Sequence, residues 1–188
     1  MSKSVYFFGN GAAEGTRDMK EILGGKGANL AEMTNLGVPV PPGFTVACGV
    51  CVRYLQDGSS PDGLREEVHQ HLARLEETSG KRFGDVSRPL LVSVRSGAPV
   101  SMPGMMETIL NLGLNDRAVD GLARASGDAR FAYDSYRRFI QMYGDVVLGV
   151  PRSRFEQLLG ARRMTAGVED DAELGEDVLR NLVEEYKA

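Results

Sequence analysis

The 188-residue sequence has no long apolar run, only two cysteines and two histidines, and no excess of basic charge. No stretch approaches the ~20 apolar residues that a membrane helix needs. The opening MSKSVYFFGN carries too short an apolar run for a signal segment. A formal net charge of −4 leaves no basic face of the kind that general nucleic-acid binding requires. These absences predict a cytoplasmic protein that engages neither membrane nor nucleic acid. Zinc usually takes four ligands, and His69 and His71 are the only histidines that could join Cys48 and Cys51; no metal site is assigned to this chain. Both histidines sit off the apolar stripe of their segment and are expected to be solvated helix residues. There is no G-x-x-x-x-G-K-[ST] phosphate loop, no acidic cluster in the N-terminal portion that looks like a magnesium site, and no evident nucleophile. On its residues alone the chain could bind a nucleotide but not turn it over.

What is present is ordinary globular composition, 42% hydrophobic and 26% charged. Val5 to Phe8 reads as a strand ending at Gly9-Asn10-Gly11. The cluster Gly24-Gly25-Lys26-Gly27 opens a helix carrying Leu30, Met33 and Leu36, which Gly37 and Pro39, Pro41 and Pro42 terminate. Phe44-Thr45-Val46 is a second strand, and a helix is expected from about Cys48 to Gln56. Another, starting near Asp62, repeats Leu64, Val68, Leu72 and Leu75 on one face. Leu90 to Val94 is the strongest strand, expected to be buried, and Thr108 to Leu112 returns antiparallel to it, so that 96–104 forms a flap. Beyond Asn115 helices are predicted at about 116–125, 129–148, 152–163 and 172–187. Ser153 with Glu156 predicts a capping box for the third of these, and the acidic run from Glu169 to Asp177 reads as a solvated face. The expected organisation is an α/β portion over 1–113 and an all-helical portion over 114–188.

Three features carry possible chemistry. Glycines that free backbone N–H groups at a helix start, with Lys26 beside them, make a reasonable anion site; tight packing is the competing explanation. Arg95 stands where an apolar strand meets a loop, and its guanidinium can grip phosphate oxygens bidentately; a surface ion pair is the alternative there. The tip Met102-Pro103-Gly104-Met105-Met106 suits contact with a flat apolar ring, or else fills the core beneath the flap. A bound nucleotide accounts for all three together. Cys48-Gly49-Val50-Cys51 follows a strand and starts a helix, the setting that redox chemistry needs, although two small half-buried thiols are the simpler reading.

The segments ILGGKGANLAEMTNLGVPVPPGF, PLLVSVRSGAPVSMPGMMETILNLGLND and RFAYDSYRRFIQMYGDVV closely resemble the N-terminal region of the pyruvate, phosphate dikinase family, over most of residues 3–165. The resemblance implies an α+β fold: part of an ATP-grasp nucleotide-binding domain, with its first α/β subdomain over 1–113 and a truncated helical subdomain over 114–188. It implies that Lys26 and Arg95 contact ATP phosphates and act in catalysis, and that Ser101 and the flap glycine Gly104 help bind the nucleotide. In the family, ATP, phosphate and pyruvate interconvert with AMP, diphosphate and phosphoenolpyruvate, through a phosphohistidine on a swivelling domain of a homodimeric, cytoplasmic enzyme. Its Mg²⁺ ligands and its phosphohistidine have no match here, so these residues are expected to be a piece that is inactive alone. Pro99-Val100 replaces a more usual Arg-Ala, Glu107 stands where Asp is common, and Cys48 falls where a hydroxyl residue is usual, which sets the cysteine pair aside. Phosphoenolpyruvate synthases share the Gly-Gly-Lys and Val-Arg-Ser segments but not this flap. They, another dikinase, or a non-catalytic nucleotide-binding or interaction module are the alternatives.

Overall fold

The structure of the chain, a computed structural model, describes residues 3–97 and 108–188. It is a mixed α+β protein that separates into two compact units, 3–80 with 96–97 and 81–95 with 108–188. The onset of all-helical character after residue 113 therefore lies inside the second unit.

In the first unit, β1 (Val5–Gly9) is the middle strand of an antiparallel sheet. Its aromatic and β-branched residues favour the pleated conformation. Asn10 and Gly11, both at positive φ (53° and 75°), turn the chain back into β2 (Ala12–Ala13) as a two-residue hairpin. On its other side β1 pairs with β3 (Gly43–Val46), Phe7 opposite Phe44. Helix α1 (Lys20–Asn35) is interrupted at Gly24, where φ is 70° and ψ 168°, a conformation essentially restricted to glycine. The sequence placed a helix start at this glycine cluster; the structure adds a preceding turn, so the cluster restarts a helix instead of opening one. Leu23, Ala28 and Ala31 of α1 pack with Tyr6, Ala13 and Met19. Gly27 permits that approach, because a Cβ there would lie 2.8 Å from Thr45 Cγ2. Helix α2 (Cys48–Asp57) buries no residue at all. Helix α3 (Leu64–Ser79) packs on β1, with Leu75 buried, and its Glu67 carboxylate accepts the Ser4 and Val5 amides.

The second unit begins with β4 (Arg82–Phe83) parallel to β5 (Pro89–Leu90). The predicted strand over Leu90–Val94 is thus divided. Leu90 belongs to β5, while β6 (Val92–Arg95) pairs antiparallel with β7 (Thr108–Leu112) in a separate two-stranded sheet. Nor is β6 buried: Ser93, Val94 and Arg95 are exposed and Val92 is half-buried. Four helices follow, α4 (Ala118–Ser126), α5 (Ala129–Val146), α6 (Arg152–Ala166) and α7 (Glu176–Lys187), with a single 3₁₀ turn at Asp171–Glu173. Helix α5 is central, packed by α4, α6, α7 and β7. Val119, Ala132, Tyr136, Leu159, Leu174, Leu179 and Leu182 form one continuous core. Gly144 leaves room for Phe155, whose Cζ would lie 2.5 Å from an added Cβ.

One expectation fails at a helix end. Pro151 occupies the N-cap of α6, placing Ser153 inside the first turn with no side-chain cap; Glu156 instead pairs with Arg152 at 2.8 Å. The capping box is formed by Asp170 and Glu173, within the run read as a solvated acidic face. Among the described residues no helix is long and apolar enough to cross a membrane.

Candidate functional site

Lys26 lies two residues beyond the Gly24 break, in the first turn of the resumed helix, and is half-buried. Helix geometry leaves the first N–H groups of such a turn without intrahelical acceptors. Gly25, next to it, faces open space: a Cβ there would meet nothing within 4 Å. The three glycines therefore play distinct parts. Gly24 makes the break, Gly27 allows close packing against β3, and Gly25 keeps the backbone accessible beside the lysine. Among the described residues Lys26 has no ion-pair partner. Gly97 sits in the same unit, and a Cβ built on it would lie 4.0 Å from the Leu23 carbonyl oxygen.

Arg95 ends β6 in the second unit, its backbone registered opposite Thr108 of β7. It is exposed, and its Nε donates to Ser93 Oγ at 3.5 Å. The ion-pair reading of this arginine finds no carboxylate partner among the described residues. Among the described residues, then, neither cation has a carboxylate partner. Ser101 and Gly104, with the methionines of the flap tip, lie outside the described residues.

Other residues depart from the sequence reading. His69 is exposed as expected, but His71 is largely enclosed, 13% exposed at its side chain. Its Nδ1–H donates to the Glu67 carbonyl at 2.7 Å, and its ring packs beside Phe44. Its Nε2 lies 3.8 Å from Glu14, the polar hub of the first unit. Glu14 accepts the Phe7 amide at 2.7 Å, Lys3 at 2.9 Å and Arg74 at 2.7 Å. Burial alone would raise the Glu14 pKa, but those hydrogen bonds outweigh it and hold it at about 2. Nothing local in the sequence marks this hub, because its partners are up to 60 residues apart. Arg137 was also missed. It is buried at 3% exposure, held by Asp134, with Asp171 at 3.6 Å. Its neighbour Arg138 pairs with Asp134 at 2.9 Å while staying exposed, as the i,i+4 spacing predicts. No group of three or more His, Cys, Asp and Glu side chains capable of holding a metal ion occurs among the described residues.

Residues 20–78 match the family model described as pyruvate phosphate dikinase, AMP/ATP-binding domain. Over its whole length the chain is 56% identical to a pyruvate, phosphate dikinase of Rhizobium meliloti (strain 1021), covering 21% of that protein. It is 53% identical over 189 residues to a pyruvate, phosphate dikinase of Clostridium symbiosum, covering all of this chain and 21% of the relative. A chloroplastic pyruvate, phosphate dikinase of Flaveria trinervia is 53% identical over 186 residues, which are 98% of this chain and 19% of that protein. The chain therefore spans about a fifth of the length of the curated relatives it matches.

Proposed function

The chain belongs to the pyruvate, phosphate dikinase family, and from that premise we propose that it forms the nucleotide-binding part of such an enzyme. In this reading the parent protein interconverts ATP, phosphate and pyruvate with AMP, diphosphate and phosphoenolpyruvate, using a phosphohistidine on another domain. The chain is part of an ATP-grasp fold, 1–113 its first subdomain and 114–188 its helical one. It works in the cytoplasm as part of a homodimeric enzyme, although some relatives are named chloroplastic. By itself it does not turn the nucleotide over.

The observation that carries the reading is Lys26, a cation with no ion-pair partner among the described residues, in the first turn after a glycine-made helix break with open space beside Gly25. Such a turn favours anions through its free N–H groups and its dipole. Arg95, likewise without a carboxylate partner among the described residues, supplies a planar fork for phosphate oxygens. In this reading Lys26 and Arg95 each stabilise charge on the transferring phosphates, and Ser101 and Gly104 help bind the nucleotide. Magnesium is the metal that such phosphoryl transfer uses. The described residues gather no ligand set for it, so no step is assigned to a metal on this chain.

In the full-length protein Arg95→Leu is expected to suppress ATP-dependent phosphorylation of the carrier histidine and leave the pyruvate half-reaction intact. Lys26→Ala should act on the same step. Each loss should be about 2–4 kcal/mol of transition-state stabilisation, the usual scale for a removed charge-stabilising donor. Normal ATP-side rates in both variants would sink the assignment. Loss of the pyruvate half-reaction as well would point to misfolding and remove the support.

A further inference from the structure

We propose that Cys48 and Cys51 form a dithiol site that exchanges with low-molecular-weight disulfides and closes an intramolecular disulfide across the first turn of α2. The site is independent of the nucleotide reading. Both thiols are free, Cys51 exposed and Cys48 half-buried. They are the first and fourth residues of a helix that follows directly on strand β3. At this spacing helix geometry sets the Cα atoms about 5 Å apart, inside the range a disulfide spans.

The surroundings favour closure. Ala47, the buried N-cap, donates its amide to the Ser4 carbonyl at 2.8 Å, which anchors the entry to the helix. Beyond that anchor α2 buries no residue, and Gly49 between the cysteines faces open space. The first turn can therefore adjust to disulfide torsions without disturbing a packed core. A tetrahedral metal site needs more ligands, and no third His, Cys, Asp or Glu joins the pair among the described residues.

Exposure sets the order of events. The Cys51 thiolate attacks one sulfur of an external disulfide, forming a mixed disulfide and expelling one thiolate. Cys48 then loses its proton and attacks Cys51 Sγ, expelling the second thiolate. Two cysteine thiols are oxidised to one disulfide, the external disulfide is reduced to two thiols, and the two cysteine protons end on those thiols. Burial, aided by the negative charge of a Cys51 thiolate, raises the Cys48 thiol. Capping Cys51 in the mixed disulfide removes the second of these causes as Cys48 is called upon.

The test is to incubate the reduced chain with oxidised glutathione and follow intact mass, with alkylation of the remaining thiols. Wild type should pass through a single adduct on Cys51 and finish with both thiols consumed and no glutathione retained. Cys48→Ser should stop at the mixed disulfide. Cys51→Ser should react at least about tenfold more slowly, since exposure and thiolate fraction govern attack. Two thiols persisting in wild type, stable glutathione on both cysteines, or a covalent dimer as the main product would each overturn the proposal. Both substitutions lie on a helix with no buried residue, and circular dichroism of each variant checks that the fold is kept.

Discussion

The two units are held together by different means. The second has a continuous core that runs from Leu114 to Tyr186 and draws on every one of its helices. In the first, the cluster around α1 is built from Leu23, Ala28 and Ala31, and much of the cohesion is polar. Glu67 fastens the start of β1, and Glu14 gathers a backbone amide, a lysine and an arginine. Burial is insensitive to pH and spread over many side chains, whereas directed hydrogen bonds concentrate stability in a few groups. The glycine break and Lys26 lie in the unit with fewer buried apolar side chains among the described residues.

The largest expected effect lies in the larger core. Leu182, fully buried, should cost about 2–5 kcal/mol when cut to Ala, measured as a shift in the urea midpoint. A change below about 1 kcal/mol would break the view of a close-packed second unit, given what buried leucines normally contribute. Next come the two adjacent glycines of the first unit. Gly24→Ala must adopt a backbone conformation foreign to alanine, at about 1–3 kcal/mol. Gly25→Ala has open space around it and should be neutral or stabilise by up to about 1 kcal/mol, the normal helix preference for Ala. Equal effects at both would remove the distinct parts given to these glycines.

Smaller again is the acid response of the first unit. A carboxyl held down at about 2 against an ordinary 4.5 contributes stability that is fully present above the higher value. It is lost as pH falls through the lower one. Urea midpoints taken from pH 5 down should therefore decline, and Glu14→Gln should flatten that decline. The same acid slope in both proteins would show that the hub does not hold the unit. Smallest is Arg138→Ala, which removes one exposed partner of Asp134. It should change stability by no more than about 0.5 kcal/mol, read from the urea midpoint, and a loss above about 1 kcal/mol would show that the pair is more than a surface contact.

Most helices and the hairpin of β6 with β7 were legible because each depends on local periodicity and turn residues. What was not legible depends on distant partners. The run Leu90–Val94 reads as one strand until the two-residue strand Arg82–Phe83, too short and polar to notice, takes Leu90 into another sheet. His71 looks solvated on its own helix, and only Phe44 and Glu14 enclose it. Arg137 is buried because α7 and the 3₁₀ turn return near α5, bringing Asp171 to it. The candidate site divides the same way. Lys26 and its glycines are a local pattern, while the absence of a carboxylate beside Arg95 among the described residues is information only a folded chain supplies.

Two tyrosines of α5 are built alike. Tyr133 donates its hydroxyl to Asp120 with Arg180 over its ring; Tyr136 donates to Asp116 with Lys187 over its ring. Burial first, and then the neighbouring carboxylate, pushes both phenols above the ordinary range, and burial does the same to Tyr186. The chain has no tryptophan and six tyrosines, so its near-ultraviolet signal is a tyrosine signal. Tyr133, Tyr136 and Tyr186 all lie in the second unit and ionise late. An alkaline absorbance titration thus gives that unit an optical signature of its own, without any label.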